Sequence, residues 1–376
     1  MIATSTTHAQ STTDYADAVI TNEDPIPGPP PKPAKRLGNL NFGVGYDSIV
    51  GLAGHLSMGY DKFLGIPDLH VAFGAQHTDF QSSAHFGLVG PFTRHSPWFW
   101  TASVHRDQSR LARELDLQVT SNNLHLGVGR ALGKHWRVST GLRSASHRTL
   151  GGGVLLDNAP TSFDGLALDP GRLLQAAWFE VEHRAENNPT GNFLQLPTGL
   201  HMVARLERSS SSLGSDYTYT HASLRASVGV DMPLGTHLLM TGRVGAANTP
   251  SADQMPLMDR YRLGTVHAFG GLMMPALGPT IDGTTAPLGG SAGAYGRAEL
   301  SVPLWQRIGL HAFGGVEGGG IGQNLLETDT LSAGATVFGG VKWQSPIGPM
   351  RVAWGSPIAA PDQQPPLFVF QLGQAF

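Results

Sequence analysis

Residues 294–304 read Ala-Tyr-Gly-Arg-Ala-Glu-Leu-Ser-Val-Pro-Leu. Taken alternately, they separate into Ala294, Gly296, Ala298, Leu300, Val302 and Leu304 on one side and Tyr295, Arg297, Glu299 and Ser301 on the other. Successive side chains of a β-strand point to opposite faces, so this stretch is a strand with one apolar and one polar surface. Three more stretches carry the same rhythm. In Gly51 to Tyr60 the apolar side is Leu52, Gly54, Leu56, Met58 and Tyr60, against His55 and Ser57. In Tyr217 to Met232, Ala222, Leu224, Ala226, Val228, Val230 and Met232 oppose His221, Ser223, Arg225, Ser227 and Asp231. In Trp136 to Arg143, Trp136, Val138 and Leu142 oppose Arg137, Ser139 and Arg143.

A weaker form of the pattern gives strands near Asn41–Tyr46, Leu69–Thr78, Ser82–Val89, Trp98–Asp107, Asn122–Ala131 and Leu173–His183. Others fall near Gly199–Leu206, His237–Ala246, Gly309–Glu317, Thr330–Trp343, Gly348–Trp354 and Leu367–Phe376, separated by Gly, Pro, Asn and Asp turns. The total is about sixteen, and no helical period of useful length interrupts it. Residues 1–36 are different in character. They are rich in Ser, Thr, Asp and Ala and end in PIPGPPPKPAKR, whose prolines cannot join a sheet ladder. The expected organisation is a disordered Pro-rich tail over 1–36 and one β-domain over 37–376.

Composition narrows the function classes. The chain has 376 residues, no cysteine, 14% charged residues and a net charge of −3. It therefore has no disulfide framework, no thiol nucleophile and no global attraction for nucleic acid. No apolar run reaches the roughly 18 residues of a transmembrane helix. Residues 1–20 have neither a basic start nor an apolar segment, so no secretory signal is expected there. Alternating strands suit either a soluble sandwich or a membrane barrel. Two features favour the barrel. The polar faces carry Arg, Glu, Asp and His but little Lys, as a wet lumen would. The apolar faces mix Gly and Ala with scattered Leu, Val and aromatics, a poor jigsaw for a dry core but adequate against lipid. Trp98, Trp100, Trp136 and Trp354 fall at or near predicted strand ends, where interfacial girdles sit.

Catalytic and metal patterns are weak. Gly289-Gly290-Ser291-Ala292-Gly293 fits G-x-S-x-G, but that nucleophile elbow needs a strand before it and a helix after it. The sixteen histidines form no HExxH, and those on polar faces, such as His55, His201 and His221, read as lumen lining. Gly318–Gly320 lacks the strand–turn–helix frame of a phosphate cradle. We expect no enzyme, no catalytic residue, no metal and no cofactor.

Several strings, in order, resemble the outer-membrane assembly superfamily, the surface-antigen-type barrels that insert other β-barrels. They are NFGVGYDSIVGLAGHLSMGYDKFLG from Asn41, NNPTGNFLQLPTGLHMVARLE from Asn187 and DRYRLGTVHAFGG from Asp259. LGP at Leu277, GGSAGAYGRAELSVPLW from Gly289, SPIGPMRVAWGSPI from Ser345 and the terminal FVFQLGQAF follow. The likeness covers residues 37–376 and is nearest to the mitochondrial sorting-and-assembly barrel. It implies an all-β transmembrane antiparallel barrel with a long sixth loop, Leu263 to Gly290, folded into the lumen.

The chain departs from the family pattern in three ways. The loop motif Arg-Gly is replaced by His267-Ala268 within Val266, His267, Ala268 and Phe269. The wall acid expected in HAFGGVEGGG is absent from its usual place, with Glu317 two or three positions away. His267 and Glu317 could form a substitute contact; the alternative is that both are solvated lumen residues. Third, no POTRA domain is recognisable before the barrel. The resemblance implies a lateral seam between first and last strands, carrying Gly43, Gly45, Phe368, Phe370, Gly373 and Phe376. Implied partners are outer-membrane β-barrel precursors, accessory subunits of an assembly complex and membrane lipid, with no nucleic acid. The implied location is the mitochondrial outer membrane, with plastid envelope and bacterial outer membrane as alternatives. Rival readings are a passive pore or translocation channel, and a soluble β-protein.

Overall fold

A computed structural model describes residues 38–47, 51–61, 69–78, 81–93, 96–112, 117–150, 171–185, 198–250, 255–261, 289–323, 331–345, 348–359 and 366–373. The expected tail, 1–36, lies outside them. The first eight strands are β1 (Gly38–Asp47), β2 (Gly51–Asp61), β3 (His70–Thr78), β4 (Gln81–Pro91), β5 (Trp98–Ala112), β6 (Leu117–Leu132), β7 (Trp136–Leu150) and β8 (Arg172–Arg184). The second eight are β9 (Gly199–Ser209), β10 (Tyr219–Asp231), β11 (His237–Asn248), β12 (Ala292–Trp305), β13 (Leu310–Gly322), β14 (Ser332–Ser345), β15 (Gly348–Ala359) and β16 (Leu367–Gly373). Each strand pairs antiparallel with its neighbours in sequence, and β16 returns to β1, so the sheet is a closed barrel. Among the described residues no helix is long and apolar enough to cross a membrane.

The alternation assigns the two faces. Tyr295, Arg297, Glu299 and Ser301 of β12 are buried, while Leu300, Val302 and Leu304 are exposed. On β7, Ser139, Arg143 and His147 are buried, and Trp136 and Leu142 are exposed. On β2, Leu52, Leu56 and Met58 are exposed. The lumen is thus polar and the outside apolar, the reverse of a soluble sandwich. Such a surface is stable only where the outside meets hydrocarbon. The closed ladder suits the same medium, because an unpaired backbone group in lipid costs several kcal/mol.

The outer band has readable limits. On β6 the outward residues run Asn122, Leu124, Leu126, Val128, Arg130, so polar groups bracket three apolar ones. Asn122 to Arg130 covers roughly 26 Å of strand at about 3.3 Å per residue, close to the apolar height of an outer-membrane barrel. Trp98, Trp136 and Trp305, at the ends of β5, β7 and β12, are exposed at the short-turn rim, and Arg130 stacks 5.4 Å from the Trp98 ring. Trp354 departs from expectation. It stands inside β15, opposite Gly339 and Phe368, and is a band residue rather than a rim anchor. The misreading came from placing the end of β15 at Trp354, whereas pairing continues to Ala359.

Lumen-facing glycines have one clear task. A Cβ at Gly127 or Gly141 would overlap the buried indole of Trp178, which lies flat against these two neighbouring strands. Leu126 marks the middle of the outer band. Leu126→Arg should destabilise the barrel in lipid by about 2–4 kcal/mol, whereas Ser146→Arg, level with Asn122, should change it by no more than about 1. Urea unfolding in liposomes reads both.

Candidate functional site

Two features distinguish this barrel from a plain cylinder: a segment of the β11–β12 connection held inside, and a seam that is short among the described residues. Met255 to Tyr261 are all buried. Leu257 and Met258 pack on Val119 of β6. Tyr261 makes a two-way backbone bridge with Gly290, its N–H donating to the Gly290 carbonyl at 2.8 Å and its carbonyl accepting from the Gly290 N–H at 2.9 Å. The ring of Tyr261 rests over Gly245 and Gly293, where side chains would overlap it, and its hydroxyl hydrogen-bonds His221.

Charge fixes this segment to the wall. Arg143 donates Nη2 to Asp259 Oδ1 at 2.9 Å and Nη1 to Asp259 Oδ2 at 3.0 Å, a bidentate pair. Nη1 also reaches Glu207 Oε1 at 3.0 Å, and Nε and Nη2 reach Asn123 Oδ1 at 3.1 and 2.9 Å. Glu207 is held in turn by Arg205 Nη2 at 2.7 Å and by the Tyr219 hydroxyl at 2.7 Å. Strands β6, β7, β9 and β10 therefore converge on one loop carboxylate. The sequence reading quoted Asp259 in its loop motif but gave it no role. The signal was present in Arg143 and Glu207, opposite charges that alternation puts on the lumen face.

A second cluster occupies the wall from β12 to β15. Arg297 Nη2 donates to Glu299 Oε2 at 2.5 Å, and Arg351 Nη2 to the same oxygen at 3.2 Å. Lys342 bonds Glu299 and donates to Ser301 Oγ at 3.1 Å. Glu317 accepts from the Tyr295 hydroxyl at 3.0 Å and from Arg297 Nη1 at 3.4 Å. Phe313 and Phe338 back these groups, with Arg351 4.2 Å over the first ring and Arg297 4.3 Å over the second. Glu317 is thus a buried, paired wall residue, and the reading of it as solvated is corrected. His267 lies outside the described residues, as do Val266, Ala268 and Phe269. The lumen segment seen here, Met255–Tyr261, begins upstream of the expected Leu263, and residues 262–288 also lie outside.

The seam joins β1 to β16. Its register runs from Gly43↔Gly373 to Asp47↔Val369, with Gly45 opposite Gln371 and Tyr46 opposite Phe370. On its other edge β1 pairs with β2 over its whole length, Gly38↔Tyr60 to Asp47↔Gly51. Four of the expected seam residues, Gly43, Gly45, Phe370 and Gly373, therefore meet across it. Phe368 faces outward on β16, opposite Trp354 of β15, and Phe376 lies outside the described residues. Ser291 donates to the Gln323 carbonyl at 2.7 Å and leads into β12, not into a helix, so it sits in no nucleophile elbow. Among the described residues no group of three or more His, Cys, Asp or Glu could hold a metal.

A closed barrel, apolar outside, with part of its β11–β12 connection clamped in the lumen, defines an outer-membrane-type barrel with an inward-folded sixth loop. A family model described as the Omp85 superfamily domain matches residues 68–376. The chain belongs to the Omp85 superfamily. Its fold is similar to that of BamA from Haemophilus ducreyi lacking POTRA domains 1–3, with a TM-score of 0.68 at 16% identity over 91% of this chain and 71% of that one. It is also similar to CdiB from Acinetobacter baumannii (TM-score 0.59, 14% identity, 90% of this chain and 60% of that one). CdiB from Escherichia coli gives a TM-score of 0.57 at 14% identity, over 89% of this chain and 62% of that one. The chain thus spans about three fifths of either CdiB. No curated protein matches the chain.

Removing one partner of a buried pair strands the other charge at a cost of about 3–5 kcal/mol. Asp259→Ala should therefore lower the unfolding midpoint and expose the 255–261 stretch to protease, with Arg143→Met giving the same two changes. Glu299→Gln should be more destabilising than Glu317→Gln, because Arg297, Lys342 and Arg351 all reach Glu299. Thermal melts of the two variants in detergent order them.

Proposed function

We propose that the chain is the central barrel of an outer-membrane protein assembly machinery. It inserts and folds β-barrel precursors through the seam between β1 and β16. The observation that carries this reading is the seam itself. Its described ladder is confined to Gly43–Asp47 against Val369–Gly373, and glycine stands at Gly43, Gly45 and Gly373. Glycine adds no cross-strand side-chain contact, so the Gly43–Gly373 and Gly45–Gln371 pairs are held by backbone bonds, with Val44–Leu372 and Tyr46–Phe370 as the apolar pairs between them. When it opens, β1 and β16 each present unpaired donors and acceptors in a medium without water. A precursor strand can satisfy them by edge pairing. No covalent chemistry or energy input is required; the barrel templates a strand and lowers a kinetic barrier.

Membership of the Omp85 superfamily supports the outer membrane and a role in assembly or secretion. The partners of this reading are barrel precursors, accessory subunits of an assembly complex and the surrounding lipid. Within the outer membranes that could hold it, we favour the mitochondrial one, on the resemblance of the Gly289–Trp305 stretch to that branch. A passive pore is the second reading. The lumen segment Met255–Tyr261, clamped by Arg143, opposes it by filling part of the bore.

Gly43 and Gly373 are direct partners across the seam, and the chain has no native cysteine. Directly opposed antiparallel residues lie about 4.5–5.5 Å apart at Cα, within disulfide reach. Gly43→Cys with Gly373→Cys should lock the seam on oxidation. Insertion of a precursor barrel into liposomes should then stop, and return on reduction. A locked barrel that inserts precursors at the unlocked rate would refute the gate. Planar-bilayer conductance of the Asp259→Ala variant addresses the pore reading: steady solute passage without any assembly activity would favour it.

A further inference from the structure

The outer face of the wall across from the seam carries charge of one sign. In the ring of sixteen strands, β5 to β9 stand opposite β1 and β16. Every described acid of these five strands, Asp107, Glu180, Glu182 and Glu207, is buried and points into the lumen. Their cations divide between the two sides. At the short-turn end, Arg137 and Arg184 lie 3.8 and 3.9 Å from Glu182 on the lumen side, with His201 at 3.2 Å. Arg130 and Lys134 at the same end are exposed on the outside, and among the described residues neither has a carboxylate partner. Arg106, Arg110, Arg148 and Arg208 are exposed toward the long-loop end.

The short-turn end is built to hold its two cations in place. Gly133, with φ at +79°, starts the turn from β6 to β7 that carries Lys134 and His135. That turn is fastened to β8 twice. The Arg184 N–H donates to the His135 carbonyl at 2.7 Å, and His135 Nδ1 donates to the Arg184 carbonyl at 2.8 Å. Arg130 stands directly opposite Trp98, and its guanidinium stacks 5.4 Å from that ring. Stacking covers one face of the guanidinium and leaves its N–H edges open. Val128 and Leu132 flank Arg130 on the same outer face of β6, and both are exposed. At about 3.3 Å per residue, Lys134 stands no more than about 13 Å beyond Arg130, a gap that two long side chains can close.

We propose that this arc of the short-turn rim, Arg130 and Lys134 framed by Trp98 and Trp136, is a seat for the headgroup of an anionic phospholipid. The phosphate accepts from the open N–H edges of Arg130 and from the Lys134 ammonium. Arg130 closes the apolar band of β6, so whatever touches it has Val128 and Leu126 as its next neighbours. An acyl chain matches those side chains, whereas a soluble anion or the acidic face of a soluble protein does not. Trp98 and Trp136, both exposed, lie where indoles favour the headgroup level. Two cations without carboxylates favour a lipid of net negative charge over a zwitterionic one, whose own ammonium cancels its phosphate. The seat fixes the wall farthest from the seam to the bilayer, and it stands whether or not the seam opens.

The test uses the full chain in dodecylmaltoside micelles. Phosphatidylglycerol or phosphatidylcholine, each with a dansyl group on its acyl chain, is titrated in, and energy transfer from tryptophan reads binding. The wild type should hold phosphatidylglycerol about tenfold more tightly than phosphatidylcholine. Arg130→Gln with Lys134→Gln should bring that ratio close to one and leave phosphatidylcholine binding unchanged. Lys134→Gln alone, a change in an exposed turn, should lower the ratio part of the way. A wild-type ratio close to one, or a ratio undiminished in either variant, overturns the seat. Where the double variant fails to fold, the single one decides. Glycerol phosphate and poly-glutamate, added as competitors at the lipid's concentration, should leave the labelled lipid bound. Displacement by the first overturns the lipid in favour of a free phosphate, and displacement by the second in favour of an acidic protein. None of these measurements involves insertion, so failure of the gate and failure of the seat are read separately.

Discussion

Everything in this molecule follows from one requirement: in hydrocarbon, each backbone N–H and C=O must find a partner within the protein. Closure of β16 onto β1 meets it around the whole circumference. The requirement also explains why the outside can be so plain. Apolar side chains there need only match lipid, and residues as small as Gly54 and Gly296, with nothing near their missing Cβ, are tolerated in the wall. The interior carries the specificity instead. Arg143, Glu207 and Asp259 on one arc, and Arg297, Glu299 and Lys342 on another, hold their geometry through charge rather than apolar packing.

The ionic interior positions the segment of the chain that it holds. A bidentate arginine fixes both the position and the orientation of the carboxylate it holds. Asp259 thereby fixes the 255–261 stretch against the wall, and Tyr261, seated over Gly245 and Gly293, pins its end beside Gly290. The aromatic backing of Phe313 and Phe338 does related work on the other arc. Each ring shields a cation from solvent on one side and leaves its N–H edges for the carboxylates.

The strands were legible because period two is a local property. Every segment from Asn41 to Leu372 with alternating polarity is a strand, and the split at 294–304 assigns lumen and lipid faces without error. Boundaries were less legible: Trp354 lies inside β15, because a strand that rises above the membrane keeps pairing after its lipid-facing pattern ends. The site was legible only in part. Gly43 and Gly45 could be placed on the first strand from sequence, but the convergence of Asn123, Arg143, Glu207 and Asp259 depends on how strands far apart in the chain line up around a circle. Nothing within reach of a sequence window encodes that alignment. Glu317 shows the same limit from the other side. Its position was noticed, yet its partners Tyr295 and Arg297 lie on the neighbouring strand, set by a register that only the closed sheet reveals.

Arg143 and Asp259 are 116 residues apart in the chain. Their union closes a very long loop, and such closures come late when chains fold, since the entropy of joining the ends is lost before many contacts reward it. Until β9 and β10 are in place, Arg143 has no Glu207, and until the β11–β12 connection turns inward it has no Asp259. The seam pair Gly43 and Gly373 lies 330 residues apart (373 − 43), so by the same entropy the Arg143–Asp259 contact is the less costly closure of the two. A chain whose β11–β12 connection has not turned inward carries an Arg143 guanidinium without its Asp259 carboxylate, a charge that the finished barrel buries.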